Sequence, residues 1–207
     1  MKKIAIIGGG GHAKVVASII LKLSDYELIG YIDQTEKTSF LDLSYLGNDD
    51  SFIEKYKGKI EYVALGIGQI ATSKIRKGIV GKYVDFKFPP ILSPNAVINQ
   101  NVQIGTGTVV MDGVVINVDS QIGDYSIINT NATIEHDCKI GNYVHIAPGV
   151  TLSGSVVVDN NTLIGTGGSV IQGISINSNV VIGAGSTIHK DIKLSGVYVG
   201  NPLRKVK

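Results

Sequence analysis

Every sixth residue from Leu92 to Leu194 is leucine, isoleucine or valine. The series runs Leu92, Ile98, Ile104, Val110, Ile116, Ile122, Ile128, Ile134, Ile140, Ile146, Leu152, Val158, Ile164, Val170, Ile176, Ile182, Ile188, Leu194, eighteen positions without a break. The fourth residue after each is small or β-branched over a long stretch: Ala96, Val102, Thr108, Val114, Ser120, Ser126, Ala132, Cys138, Val144, Val150. Residues two apart on a strand point the same way. The i+4 residue of one hexad and the i residue of the next therefore face one side, and the i+5 residue between them faces the other. Positions i+2 and i+3 carry many Asn, Asp and Gly residues, the residues of tight corners. Strand, corner and strand repeated at a fixed period make a parallel β-helix. Three hexads per turn predict six coils, a prism roughly 29 Å tall at about 4.8 Å per coil. Glycine fits the same picture: 26 of 207 residues, roughly double the usual share.

Residues 1–88 follow a different grammar. Lys2 to Ile7 predicts a strand, Gly8 to Gly11 a turn, and His12 to Leu23 a helix with Val15, Val16, Ile19 and Leu23 on one face. Glu27 to Asp33 predicts a second strand, Asp49 to Lys57 a short helix, Ile60 to Ile67 a third strand, and Ile70 to Val80 another helix. Alternating strands and helices imply a small parallel sheet covered by helices. Pro89-Pro90 marks the boundary. The expected organisation is an α/β domain over 1–88, a β-helix over 91–199 and a C-terminal tail over 200–207.

The formal charge of +2 gives no electrostatic reason to expect nucleic acid. One cysteine excludes an internal disulfide framework and a multi-cysteine zinc site. The apolar run Ile4–Ile7 breaks into four glycines, too short for a signal-peptide core, and no stretch is long enough to span a bilayer. A cytoplasmic protein without membrane insertion is the expectation.

The turn Gly8-Gly9-Gly10-Gly11-His12-Ala13 follows a strand and opens a helix. Backbone amides at a helix N-terminus attract phosphate, and Asp33 ends the second strand, where an acid can bind a ribose hydroxyl. The segment is about half a full dinucleotide domain, so a mononucleotide or nucleotide-sugar suits it better. In the solenoid, His136 occupies i+2 of its hexad between Glu135 and Asp137, so it leaves the prism at a corner. Histidine titrates in the range useful to a general base, and a carboxylate can fix its tautomer. Gly154 lies 18 residues, one coil, above it. That position leaves room for a thioester and offers an amide to an oxyanion. Cys138 is expected to point inward as core, so no acyl-enzyme is expected. His189 reads as a surface residue.

The glycine turn, the Ile32-Asp33 strand end, and a hexapeptide array opening at Ile91-Leu92-Ser93-Pro94-Asn95-Ala96 together resemble one family. It is the sialic-acid O-acetyltransferase and nucleotide-amino-sugar N-acetyltransferase group of hexapeptide-repeat acyltransferases, similar to the bacillosamine-pathway UDP-4-amino-sugar enzymes. The resemblance implies a left-handed β-helix, a homotrimer with sites between subunits, and no metal. It implies nucleotide-sugar binding by the α/β domain, at Gly10, Gly11, His12, Asp33 and Gly66, with Gly66-Ile67-Gly68 and Arg76 as the third-strand turn. It implies acetyl-CoA on the solenoid, with His136 as base, Asp137 orienting it, and His145 at the acetyl end. Gly154, Gly165 and Gly183 would line the pantetheine path, and Lys190 and its neighbours would meet the CoA phosphates. Gln69, where Asn or Asp is usual, and Leu203, where Ala is usual, depart from the pattern.

The favoured function is acetyl transfer to the amine of a nucleotide-linked 4-amino sugar. Sugar O-acetylation is the same-fold alternative. A metal-binding trimer like γ-class carbonic anhydrase and a non-catalytic scaffold are the alternatives of other classes.

Overall fold

A computed structural model describes all residues, 1–207. The chain divides into two compact units, Met1–Gln69 with Lys74–Pro94, and Ile70–Ser73 with Asn95–Lys207. Residues 70–73 thus group with the solenoid, and the Ser73 hydroxyl donates to Asn161 Oδ1 at 2.8 Å.

In the first unit, β1 (Lys2–Ile7), β2 (Tyr26–Ile32) and β3 (Tyr62–Leu65) form a parallel sheet in the order β2-β1-β3. The central strand is apolar throughout its second half, and Ile4 to Ile7 are buried, as a strand covered on both faces must be. Helix α1 spans Gly11–Ile20 and buries Ala13, Val16, Ala17, Ile19 and Ile20. Val15, expected on the buried face, is 41% exposed, and Leu23 lies beyond the helix. Small Ala13 and Ala17 take the packing stripe because they let the helix approach the sheet closely. Helix α2 (Asp49–Tyr56) is capped by Asn48, whose side chain accepts from the Ser51 amide at 3.0 Å. Helix α3 spans Lys74–Lys82, starting four residues later than the sequence suggests. Tyr83 closes it against α2: its ring packs 6.2 Å from Phe52 and its hydroxyl bonds buried Asp49 at 2.8 Å.

The second unit is the solenoid. From Leu92 to Ile188 each hexad supplies a strand of two residues, or three at Val180–Ile182, ending on the expected aliphatic residue. The strands form three parallel faces. The first contains Val109–Val110, Ile127–Ile128, His145–Ile146 and Leu163–Ile164. The second contains Val115–Ile116, Thr133–Ile134 and Thr151–Leu152. The third contains Gln121–Ile122, Lys139–Ile140 and Val157–Val158. Partners are one coil, 18 residues, apart. The inward i+4 side chains from Thr108 through Val156 are fully buried. Those with hydroxyls serve the coil above: Ser126 Oγ donates to Gly141 O at 2.9 Å and accepts from Val144 N at 3.0 Å. This satisfies polar groups that burial would otherwise penalise. At the corners the i+3 residues Asn101, Asp119, Tyr125, Asn131, Asp137, Tyr143, Ser155 and Asn161 have positive φ, a backbone state that Asn and Asp tolerate well.

Two expectations fail at the C-terminal end. Leu194, the last of the eighteen, is 65% exposed. The final coil is shorter: Ile192 bridges Ile176, and Val180–Ile182 pairs with Gly196–Tyr198 at an offset of 16 residues. The tighter coil is held by the Asp191 carboxylate, which accepts from Ser175 N at 2.9 Å, and by backbone bonds of Ile192 to Ser175 and Asn177. Residues 200–207 are not a plain tail either. Arg204–Lys205 folds back antiparallel on Gly196–Val199. No helix is long and apolar enough to cross a membrane.

Candidate active site

The corner between the second and third faces carries His136. Its backbone is fixed above and below: His136 O accepts from Ser155 N at 2.9 Å, and Asp137 N donates to Val118 O at 3.1 Å. Asp137 sits at φ 60°, which turns its carboxylate back toward the preceding ring. His136 Nδ1 lies 2.7 Å from Asp137 Oδ2, so Nδ1 carries the proton and Nε2 is the basic nitrogen. This hydrogen bond raises the imidazole pKa above its ordinary value; desolvation opposes it, and the charges of Asp137 and then Glu135 add smaller contributions in the same upward direction.

Nε2 lies over Gly154. A Cβ on Gly154 would stand 2.6 Å from both Nε2 and Cε1 of His136, so any larger residue displaces the ring. The corner row continues one coil at a time through Gln172 to Lys190. Lys190 lines a groove of about 530 Å3 with His189, Lys193, Leu194, Tyr198 and Lys205. Lys190 and His189 are exposed.

His145 lies elsewhere, on the first face, half-buried between Ile127 and Leu163. Asn129, a residue that sequence reasoning missed, fixes its tautomer. Asn129 Oδ1 accepts from Thr130 N at 2.8 Å, which leaves its amide NH2 to donate to His145 Nε2 at 3.1 Å. His145 is therefore held with Nε2 as acceptor. A histidine and an asparagine 16 residues apart, one at i+5 and one at i+1 of the coil below, is the signal that would have found the pair. Gly165 and Gly183 also sit away from His136, at the corner of the first and second faces. Close coil contact accounts for both: a Cβ would meet Ile182 O at 2.7 Å from Gly165 and Val199 Cγ1 at 2.8 Å from Gly183.

Cys138 is fully buried, its thiol bonded to Ser153 O at 3.3 Å. Burial pushes it up to about 11, so it is no thiolate at neutral pH. Nowhere in the chain do three or more His, Cys, Asp or Glu side chains cluster as a metal ligand set.

The second candidate site lies in the α/β unit. Gly10 and Gly11, at the start of α1, are exposed and have nothing within 4 Å of a Cβ position, so the backbone there is open to a ligand. Asp33 does not stand as an open acceptor. Its Oδ2 accepts from Gly9 N at 2.7 Å, its Oδ1 from Gln34 N at 2.7 Å, and Lys37 Nζ lies 3.2 Å away. Asp33 braces the glycine turn. Gly66 is buried for packing, since a Cβ would meet Ile7 O at 2.7 Å and Ala13 Cβ at 2.8 Å. Gly68 is exposed and close to His12: its Cβ would stand 3.5 Å from the His12 Cβ. The fully buried Arg76 guanidinium donates to Ile67 O and holds this third-strand turn.

Comparison with known proteins agrees with both halves. Residues 3–83 match the PglD N-terminal domain, and residues 119–154 match the bacterial transferase hexapeptide (six repeats). UDP-N-acetylbacillosamine N-acetyltransferase of Bacillus subtilis is 35% identical over 113 residues, 54% of this chain and 52% of that protein. The acetyltransferase domain of PglB from Neisseria gonorrhoeae superposes with a TM-score of 0.90 at 32% identity, over all of both chains. PerB from Caulobacter crescentus, solved with CoA and GDP-perosamine, gives a TM-score of 0.89 at 31% identity, over all of this chain and 98% of that one. The PglB domain has also been solved with acetyl coenzyme A. The solenoid path is that of the left-handed β-helix of these acetyltransferases.

Proposed function

We propose that this chain, which belongs to the hexapeptide-repeat nucleotide-amino-sugar N-acetyltransferases, moves acetyl from acetyl-CoA to the amine of a nucleotide-linked 4-amino sugar. One observation carries the mechanism: His136 has Nδ1 bonded to Asp137 and Nε2 free of side-chain bulk above Gly154. That leaves one basic nitrogen directed at a space only glycine keeps open. The acceptor amine attacks the thioester carbonyl, and as the N–C bond forms Nε2 takes the amine's proton. The Gly154 N–H donates to none of the backbone carbonyls and supplies a hydrogen bond to the tetrahedral oxyanion. Collapse breaks the C–S bond, and the imidazolium returns its proton to the departing thiolate. No acyl-enzyme is formed.

The nucleotide is taken by the Gly10 and Gly11 amides with His12, on the turn that Asp33 braces. Acetyl-CoA runs along the corner row from Gly154 to Lys190, where Lys190, Lys193 and Lys205 face its phosphates. The first face of a neighbouring prism in a homotrimer completes the site with His145, and Gly165 and Gly183 flank that face. A panel of UDP-, GDP- and dTDP-linked 4-amino sugars with acetyl-CoA, read by mass spectrometry of the product, tests this reading. N-acetylation of at least one is expected. Acetylation only of sugar hydroxyls would replace it with the O-acetyl reaction.

Two consequences concern the base. Gly154→Ala keeps the fold, since this glycine has no positive φ, but pushes the ring aside. A displacement of about 1 Å costs roughly 10²-fold in kcat, with an unchanged melting temperature as control. Asp137→Asn preserves the corner, because Asn also tolerates the left-handed state, but removes the charge that raises the His136 pKa. The base works unprotonated, so kcat/KM rises with pH through a pKa above the ordinary histidine value. In Asp137→Asn this acid limb moves to lower pH and the plateau falls. An unmoved limb would assign the titration to another group.

A further inference from the structure

The corner that carries His136 is also a hydrogen-bonded ladder of side chains. Asn99 Nδ2 donates to Asn117 Oδ1 at 2.7 Å, and Asn117 Nδ2 donates to Glu135 Oε2 at 2.8 Å. The three residues occupy the same i+1 position in successive coils. The first bond sets the orientation of the second amide, so the Asn117 NH2 is turned up toward the carboxylate. Glu135 is pinned through its backbone as well. Its N–H donates to Leu152 O at 3.0 Å, and its carbonyl accepts from the buried Ser120 hydroxyl at 2.8 Å. A half-buried glutamate with so many restraints is costly to fix in place, and no packing need explains a carboxylate at the end of an amide ladder.

We infer that Glu135, held by the Asn99–Asn117 ladder, is a positioning residue of the acetyl-transfer site, keeping a fixed negative charge beside His136 for an acceptor that arrives as an ammonium ion. The inference rests on the reading of His136 as the base. Its chemistry is simple. A 4-amino sugar is cationic near neutral pH; it gives one proton to solvent before it attacks, and the second, released as the N–C bond forms, goes to His136. A fixed carboxylate stabilises both the incoming ammonium and the imidazolium formed during attack. A hydroxyl acceptor brings no charge and gains nothing from the first effect, so Glu135 favours amines over alcohols. The other charged groups around this corner are Asp119 on the coil below, Asp137 on the same turn and Lys139 on the strand that follows. All three border one groove with Ser155. Substituting Glu135 leaves each of them in place.

Two variants separate charge from ladder. Glu135→Gln keeps an oxygen for Asn117 and removes the charge; Asn117→Ala removes the ladder and keeps the charge. Only four histidines are present, so NMR can follow each imidazole through a pH titration of the full chain without substrate. Glu135→Gln is expected to lower the His136 pKa, by less than Asp137→Asn does, since Glu135 is the smaller of the two influences. Asn117→Ala is expected to lower it less. In steady-state assays with whichever 4-amino sugar nucleotide the panel identifies, Glu135→Gln is expected to raise the acceptor KM about tenfold and shift the acid limb of kcat/KM down, leaving the KM for acetyl-CoA unchanged. A His136 titration identical in wild type and Glu135→Gln overturns the inference. So does an unchanged acceptor KM. The reading of His136 itself fails on a different result, an active His136→Ala enzyme, which the titration does not touch.

Discussion

Replacing His136 by alanine should lower kcat by about two to four orders of magnitude, the usual worth of a positioned general base. The expectation is specific because the ring does so little else. Its side chain is 57% exposed and its hydrogen-bond partner in the chain is the neighbouring Asp137, so removing it opens no cavity and strands no buried group. The corner backbone is tied by Ser155 N to His136 O, which alanine keeps. Melting temperature and acetyl-CoA affinity by calorimetry should therefore match wild type while initial rates collapse. Wild-type turnover in this variant would remove the proposed mechanism. Loss of acetyl-CoA binding would instead make His136 part of the donor pocket.

The solenoid was legible from sequence because its physics is local and periodic. Each coil needs an aliphatic residue at i, a small one at i+4 and a left-handed corner at i+3, and those demands repeat in every hexad. The same regularity misled at the end. Leu194 satisfies the count by side-chain type alone, whereas Ile192 takes the inward place, held by backbone bonds to Ser175 and Asn177 together with the Asp191 carboxylate on Ser175 N. Such contacts between coils are not contained in a period. The position of His136, and of Gly154 above it, followed from the step of 18. Asn129 did not, since its partnership with His145 shows only when successive coils are stacked and position i+1 is set beside the i+5 residue of the coil above. In the α/β unit, the strand and helix alternation and the glycine turn could be read, but the brace that Asp33 gives the turn could not. An acid at a strand end is compatible both with binding a ribose and with bracing a turn, and the 2.7 Å bond to Gly9 N shows the bracing. Helix α1 was misjudged by one face because alanines, weak in any hydrophobicity pattern, set how closely it packs.

The location of His145 leads to the largest gain of activity expected here. His136 leaves the corner between the second and third faces, and His145 lies on the first face, half a coil away in sequence and across the prism. A face of six residues spans up to about 20 Å, so both imidazoles of one prism cannot reach one acetyl group. If both serve the reaction, each site takes His136 from one subunit and His145 from the next, an arrangement that a closed three-fold ring of heterologous contacts permits. His136→Ala and His145→Ala homotrimers should then each be severely impaired. Mixed trimers should recover activity, because a His145→Ala subunit beside a His136→Ala subunit rebuilds one intact pair. With equal mixing and random assembly, one order of neighbours in four is productive, so the ceiling is about a quarter of the wild-type specific activity. Subunit exchange is verified by native mass spectrometry of trimers carrying differently sized tags. Mixed trimers that form and remain inactive would show that the two histidines do not share a site, and would leave His145 with the structural task its bond to Asn129 already suggests.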